Sequence, residues 1–453
     1  MKFGLDPSFR FLVSRAIYKG VLKYLSARYG CPYEVQPLPV NSFRTMFDTK
    51  PSEKGKTGVT LSWKATVDSL EPTARPDGYI LYTRIDDGAF DSGRVLKRTT
   101  GNGETVSTHV TVTPGHIYSY RIVAFNKGGK SFPSQTLSVG IPEGYGGSTA
   151  LVVDNFTRVS APAWMDSPQI AGFDSDLDAG VAYGKEIGFI GEQYQFKREM
   201  PWLSNDNPGF GGSYTDKAGM VYPGNNLDNT VAHGKALMSA GYAYHSVSAD
   251  SFDISSARND SMVDIVCGKQ VSTLLGIVGG RVAHSVFPAH IRQTISEYAA
   301  AGGNVLVSGA YIGTDIWSSI YPLTKDEKET EEAIKFAQEV LGYRWMTNYA
   351  SRKGEVWPMS FKGFDMTSRI GKMRFHQEKN CSIYNVETPD GIAPAGEKGH
   401  SVLRYTDTNI SAGIFHKGNK YKTACFGFPL ETLTTQEEID SVIRAVTEYF
   451  GTE

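Results

Sequence analysis

A short apolar run, Asn304-Val-Leu-Val307, leads through Ser308 into Gly309-Ala-Tyr311-Ile-Gly313. Glycines two residues before and two after a central residue give the spacing of a strand-to-helix elbow, which lifts a nucleophile clear of a sheet. Such elbows carry Ser or Cys at the centre, where an adjacent base can activate the hydroxyl or thiol. Here the centre is Tyr311. A phenol ordinarily ionises near pH 10, and the sequence around Tyr311 indicates no base. The spacing predicts the scaffold of a nucleophilic enzyme without its nucleophile. The preceding Tyr298-Ala-Ala-Ala-Gly302-Gly303 reads as a helix end with a Gly-Gly cap.

The elements that must position this turn follow from the periodicity. Thr149–Val153 is a continuous apolar run ending in Asp154-Asn155; Met262–Val266 ends in Cys267-Gly-Lys269-Gln270; Val305–Val307 ends in Ser308-Gly309. Helical patterns cover Thr230–Ala240, Pro288–Ala301, Lys325–Leu341 and Thr434–Phe450, the last opening on a capping box with Glu437 and Glu438. Buried strands alternating with helices predict an α/β domain with a parallel sheet covered on both faces. Ligands of such sheets bind beyond the carboxyl ends of the strands. That rule selects Asp154, Asn155, Lys269, Gln270, Ser308 and Tyr311 as a ligand-binding wall, with Asp315, Glu192, Tyr194 and His233 joining from loops. Such a wall suits a sugar or a peptide fragment. The competing reading is that the same residues cap strands and helices, and both stay open. Glu192, His233 and Glu431 are the catalytic candidates beside the elbow position.

The first 150 residues are built differently. Ser8–Arg28 is one helix by pattern, with an apolar stripe of Phe11, Leu12, Ile17, Val21, Leu22 and Leu25, ended by Gly30. Its apolar face needs a cover: the neighbouring sandwich or another molecule. Pro32–Pro39 reads as an extended linker. From Thr57 to Ile141 the apolar residues alternate with period two, in strands Val59–Trp63, Gly78–Ile85, Ser107–Val112 and Tyr118–Phe125 separated by turn signals. This segment resembles a fibronectin type III domain, with Trp63 at the core-tryptophan position. Tyr118-Ser-Tyr-Arg-Ile-Val-Ala-Phe-Asn126 matches that family's Tyr-x-Phe-x-Val-x-Ala-x-Asn run, which makes Tyr118 the corner tyrosine. These are core residues, and the fold spaces or binds rather than catalyses.

The expected organisation is multidomain: an N-terminal helix and linker over 1–50, a β-sandwich over 51–143, and an α/β parallel-sheet domain with β-rich additions over 149–453. Residues 180–229 read as a long Gly-, Asn- and Pro-rich insertion, and 345–421 as a β-rich addition with the alternating pieces Ser401–Tyr405, Ser411–Phe415 and Lys420–Phe426. Net charge is −2, which implies neither nucleic acid nor an anionic membrane as partner. No apolar run is long enough to span a bilayer. The four cysteines lie far apart without a CxxC pair. Cys267, in its apolar strand, reads as a buried small hydrophobe. Asp174-Ser-Asp176-Leu-Asp178 has alternate carboxylates, but position twelve is Lys185 and position six Ala179, so an EF-hand is not supported. The nine histidines show no paired ligand spacing. No metal and no cofactor are expected.

The order strand, helix, strand, elbow, and the late Phe426-Gly-Phe-Pro-Leu-Glu431 resemble a class I glutamine amidotransferase, a flavodoxin-like domain. Carried onto this chain, that family's nucleophile falls on Tyr311 and its catalytic His on Phe428, with Glu431 one residue beyond the carboxylate position. Two of the three catalytic groups are absent. The whole chain is similar to Bacteroidetes secreted proteins labelled xanthan lyase or N-acetylmuramoyl-L-alanine amidase. Ser14–Gly20, Val35–Pro39, Gly191–Tyr194, Ser308–Gly313 and Phe426–Thr432 carry that likeness. It implies that Arg15–Val21 corresponds to the last helix of an amidase domain whose zinc ligands lie upstream, since no His precedes His109. It also implies a signal peptide upstream and an extracellular, periplasmic or cell-surface location. The expected function is an accessory, non-catalytic region of a cell-wall or polysaccharide-degrading enzyme, with a glycan or peptidoglycan fragment as partner. The alternatives are a hydrolase or lyase acting through the α/β domain, and a surface adhesion module.

Overall fold

The computed structural model describes residues 2–48, 55–97, 105–275, 281–318 and 327–452. Seven antiparallel strands form a sandwich: β1 Asn41–Phe47, β2 Thr57–Lys64, β3 Gly78–Ile85, β4 Arg94–Lys97, β5 Thr105–Val112, β6 Ile117–Asn126 and β7 Leu137–Gly140. One sheet runs β1-β2-β5 and the other β4-β3-β6-β7. The alternation that marks these strands turns Val59, Leu61, Trp63, Ile122 and Ala124 inward into one core. Trp63 meets Tyr79 edge-on with ring centroids 5.3 Å apart. The Tyr118 hydroxyl accepts a long hydrogen bond, 3.4 Å, from the Thr113 amide five residues upstream, the geometry of a tyrosine corner. The sandwich starts earlier than residue 51: β1 lies in what the sequence suggested was linker.

The helix α1 Pro7–Tyr29 begins at Asp6, whose side chain accepts from the Phe9 amide at 2.9 Å, and ends at Gly30 in the left-handed conformation. It lies on the sandwich through polar contacts. Arg15 pairs with Asp68 at 2.6 Å, Lys19 pairs with Glu71, and the Tyr18 hydroxyl donates to the Gly128 carbonyl. The opposite side leaves Phe9, Leu12, Val13, Ile17, Val21 and Tyr24 exposed.

The second unit is a sheet of parallel strands extended by antiparallel ones. The parallel strands are β8 Thr149–Asp154, β9 Ala243–Ser248, β10 Met262–Gly268, β11 Asn304–Gly309 and β15 Lys422–Phe426. Their spatial order is β9-β8-β10-β11-β15, so the order in which the parallel strands are added reverses between β8 and β10. Beyond β15 follow β14 Ser411–Lys417, β13 Gly399–Tyr405 and β12 Glu355–Pro358, all antiparallel. On one face lie α2 Thr230–Ser239 and α6 Gln436–Gly451, packed on Ala150, Val152 and Val266. On the other lie α3 Ala289–Ala300 and α5 Glu327–Phe336, over Leu151, Val153, Val263 and Ile265. On α6, Val442 and Val446 are one turn apart and both 0% exposed. Burying each contributes roughly 1.5–3 kcal/mol. The Thr435–Glu438 capping box fixes where that stripe begins.

Two assignments differ from the sequence reading. Lys420–Phe426 was expected within the β-rich addition, yet it supplies β15, the fifth parallel strand. The strand β9 had no apolar signature. Its His245, Ser246 and Ser248 are buried because they weld the sandwich to the sheet edge. Ser246 Oγ donates to the Ser138 carbonyl at 2.7 Å, His245 Nδ1 lies 2.8 Å from the Thr45 carbonyl, and Ser248 Oγ donates to the Phe43 carbonyl at 3.0 Å. β1 and β7 each pair with β9, so the sandwich covers an edge that would otherwise stay open. Lys325, the expected start of α5, lies outside the described residues.

Candidate functional site

The elbow forms where the spacing placed it. β11 ends at Gly309, the Ala310 amide donates to the Gly268 carbonyl at 2.8 Å, and the short helix α4 Thr314–Trp317 follows. Gly313 must be glycine: a Cβ there would sit 2.5 Å from Cδ1 of Trp345. Tyr311 does not stand above the sheet. It is 0% exposed, and its hydroxyl accepts a 2.5 Å hydrogen bond from the Thr388 hydroxyl. The amides of Gly313 and Thr314, which open the short helix after the elbow, donate to Asp390 Oδ2 at 2.7 and 2.8 Å. The indole of Trp345 and the Thr314 hydroxyl donate to the other oxygen of Asp390. Burial pushes the Asp390 carboxyl up to about 7 despite these donors. Phe428, at the resemblance's histidine position, is stacked on Phe375 with centroids 4.8 Å apart.

The residues at the other carboxyl ends are turned inward as well. Asp154 accepts from Gln135 Nε2 at 2.8 Å and Asn229 Nδ2 at 3.2 Å, and burial raises its pKa to about 7. Asn155 donates to the Val286 carbonyl at 2.8 Å. Gln270 Oε1 accepts from the amides of Thr157 and Arg158 at 3.0 and 3.1 Å. Asp315 accepts from the amides of Ser272 and Val286, both at 2.8 Å. Ser308 is buried, and its Oγ finds no hydrogen-bond partner among the described residues. At the switch in strand order between β8 and β10, Lys269 holds Glu387 at 2.8 Å and lies 3.8 Å from Asp178. Arg158 pairs with Asp178 and donates to Thr273 Oγ1 at 2.8 Å. Burial opposes ionisation of Asp178, but the charges of Arg158 and Lys269 overcome it and hold its pKa below the ordinary value. The third carboxylate of the alternating Asp run therefore belongs to an internal ion network. The expected ligand-binding wall is corrected accordingly: Asp154, Asn155, Lys269, Gln270, Ser308, Tyr311 and Asp315 are interior, and all but Ser308 have hydrogen-bonding partners in the protein.

His233 and Glu431, 198 residues apart, do come together. His233 Nδ1 lies 2.7 Å from Asp264 Oδ2 and its Nε2 lies 3.2 Å from Glu431 Oε2, while Tyr384 donates to Glu431 Oε1 at 2.8 Å. All four residues are buried. Burial works against the imidazolium, but the two carboxylates prevail and raise the His233 pKa to about 10. With both ring nitrogens donating, this histidine has no lone pair to act as a base near neutral pH. Glu192, the remaining catalytic candidate, is exposed on the long insertion, and its carbonyl accepts from the Tyr214 amide at 2.9 Å.

Sequence reasoning missed Asp264, Asp390, Arg158 and Glu387. A signal existed for the first: a lone Asp inside Met262-Val-Asp-Ile-Val266 must find a partner or lose its charge. The other three lie in irregular stretches, where no spacing announces them. Apart from these clusters, a cavity of about 420 Å³ opens near the start of β15, lined among others by Glu339, Lys398, His416 and Tyr421.

No family model matches the sequence, and no curated protein matches it. Similar solved structures include the twitchin kinase region from C. elegans, 25% identical over 24% of this chain and 17% of that one, with a TM-score of 0.18. The exo-beta-1,4-mannosidase Op5Man5 from Opitutaceae bacterium strain TAV5 is 10% identical over 51% of this chain and 32% of that one, with a TM-score of 0.30. The third fibronectin III domain of human KIAA0343 protein is 17% identical over 26% of this chain and 91% of that domain, with a TM-score of 0.18. These likenesses assign neither a family nor an activity. Among the described residues no helix is long and apolar enough to cross a membrane.

Proposed function

We propose that this chain is the non-catalytic, binding or scaffolding part of a secreted enzyme that degrades cell wall or polysaccharide. In this reading the sandwich is a fibronectin type III spacer, and the second unit is an amidotransferase-like domain of flavodoxin type without its chemistry. The observation that carries it is Tyr311 itself: the residue at the nucleophile position is a phenol, fully buried and hydrogen-bonded to Thr388. The nucleophile position has neither the Ser or Cys that acyl-transfer chemistry would need nor access to solvent, and the turn after it is held by the Asp390 carboxylate. Incubating the purified chain with peptidoglycan fragments and acidic polysaccharides, followed by mass spectrometry, tests it. Intact substrates are expected; a cleaved product would overturn the reading.

One observation favours a second reading. Asp264, His233 and Glu431 form a hydrogen-bonded chain in which a protonated imidazole sits between two carboxylates, a proton donor for a hydrolase or lyase acting on glycan fragments once the cluster opens to solvent. Turnover that disappears in His233→Gln at unchanged melting temperature would favour it.

A further inference from the structure

The sandwich and the sheet share little backbone. β1 pairs with β9 at Arg44 and Val247 alone, and β7 pairs with it at Gly140 and Tyr244 alone. Side chains must supply much of the hold, and one of them can change its charge. His245 is buried at this junction. Its Nδ1 lies 2.8 Å from the Thr45 carbonyl of the sandwich, and its Nε2 lies 3.0 Å from Oδ2 of Asp260 in the turn before β10. The two side chains are only 6% and 3% exposed, which leaves little room for water to replace either partner. From β1, Phe47 closes over the imidazole edge-on, with ring centroids 5.6 Å apart. From α3, the Tyr298 hydroxyl donates to the Asp260 carbonyl at 2.8 Å and fixes that turn.

A carbonyl and a carboxylate can only accept, so both contacts are hydrogen bonds only while both ring nitrogens carry a proton. With one proton gone, a nitrogen lone pair faces an oxygen in a buried place, and the Asp260 carboxylate loses its counter-charge. Burial opposes the imidazolium, but the Asp260 charge and the bonds to Asp260 and Thr45 outweigh it and hold the His245 pKa above its ordinary value. The other charged groups around the junction are engaged elsewhere. Arg44 pairs with Asp253 at 3.0 Å, Asp250 accepts from the Ser42 amide at 2.8 Å, and Asp48 lies 3.4 Å from His109. His290 Nε2 lies 3.1 Å from the Ala249 carbonyl. Tyr145 stays neutral, its phenol pushed up by burial and by the Asp260 charge. We propose that His245 is a proton-gated latch between the two units: doubly protonated, it ties β1 to the turn before β10, and loss of one proton to solvent loosens β1 from β9. The latch holds fully below the ordinary histidine range and releases as pH rises through the raised folded value. It makes the attachment of the sandwich conditional and does not depend on the accessory reading.

The test is amide hydrogen exchange of the full chain, corrected for the intrinsic effect of pH, over residues 41–47 and 243–248. Protection there should fall at least about tenfold between pH 6.5 and pH 9.5, while β5 and β10 keep theirs. Asp154 also titrates at this junction, where it accepts from Gln135 of the sandwich. Asp260→Asn separates the two. Removing that carboxylate takes away what favours the second ring proton, so the fall linked to His245 should move to lower pH and the fall linked to Asp154 should stay. Flat protection in the parent, a fall that Asp260→Asn leaves in place, or a fall shared by β5 and β10 would each overturn the latch. Should Asp260→Asn fail to fold, the ring-nitrogen shifts of the 15N-histidine-labelled parent decide. A His245 ring protonated on both nitrogens at pH 7 supports the proposal, and a singly protonated ring overturns it.

Discussion

The carboxyl edge of the parallel sheet and the insertion over residues 190–217 invert each other's logic. At the sheet edge, reactive residue types abound, yet each is spent on the protein: Asp390 on two amides, Lys269 on Glu387, His233 between two carboxylates. On the insertion, chemically inert aromatic side chains such as Trp202 and Tyr214 are left uncovered. Residue type and position at a favourable sheet end are therefore insufficient for function. What matters is whether a side chain's hydrogen-bonding and apolar capacity is consumed inside the molecule.

That contrast can be broken from its strong side first. His233→Ala leaves Asp264 and Glu431 buried together without their shared cation. It should cost roughly 3–5 kcal/mol in urea unfolding, and a loss below about 1 kcal/mol would show that the cluster is not dry. Arg158→Ala removes the closest counter-charge from Asp178, and about 3 kcal/mol should follow in the same assay.

pH comes next. Asp154 and Asp390 have folded pKa values raised to about 7, so their contribution is fully present below the ordinary carboxylate range and is lost as pH rises through 7. His233, raised to about 10, contributes fully below its ordinary value and loses that contribution as pH rises through 10. Unfolding free energy should therefore fall by about 5 kcal/mol between pH 5 and pH 8 through the two carboxyls, about 2.7 kcal/mol from each. A profile that is flat there, or unchanged by Asp154→Asn, would contradict the assignment. Tyr311→Phe strips the acceptor from Thr388 and should cost about 1–2 kcal/mol, read as a lower melting temperature. At the weak end, Trp202→Ala should leave stability within about 0.5 kcal/mol, since nothing in the core depends on that ring.

How legible all this was depended on whether a residue's role was local. The sandwich could be read because alternation and turns are local, and Trp63 and Tyr118 fall where the pattern put them. The elbow could be read because two glycines are demanded within five residues. β9 could not, because its polar side chains serve Thr45, Ser138 and Phe43, all far away in sequence. Nor could the His233–Glu431 contact, which depends on α2 and the turn before α6 meeting over β10. The residues named for the ligand wall lie near the strand ends and are buried, and burial is a property of packing that no spacing of residues encodes.

The most direct measurement is amide hydrogen exchange over residues 309–318 near neutral pH. Gly313 and Thr314, if held by Asp390, should exchange as slowly as the neighbouring strand β11 and become fast in Asp390→Ala. Exchange within seconds in the parent chain would mean that the turn after Tyr311 is open, and that the sheet edge is a site rather than a sealed interior.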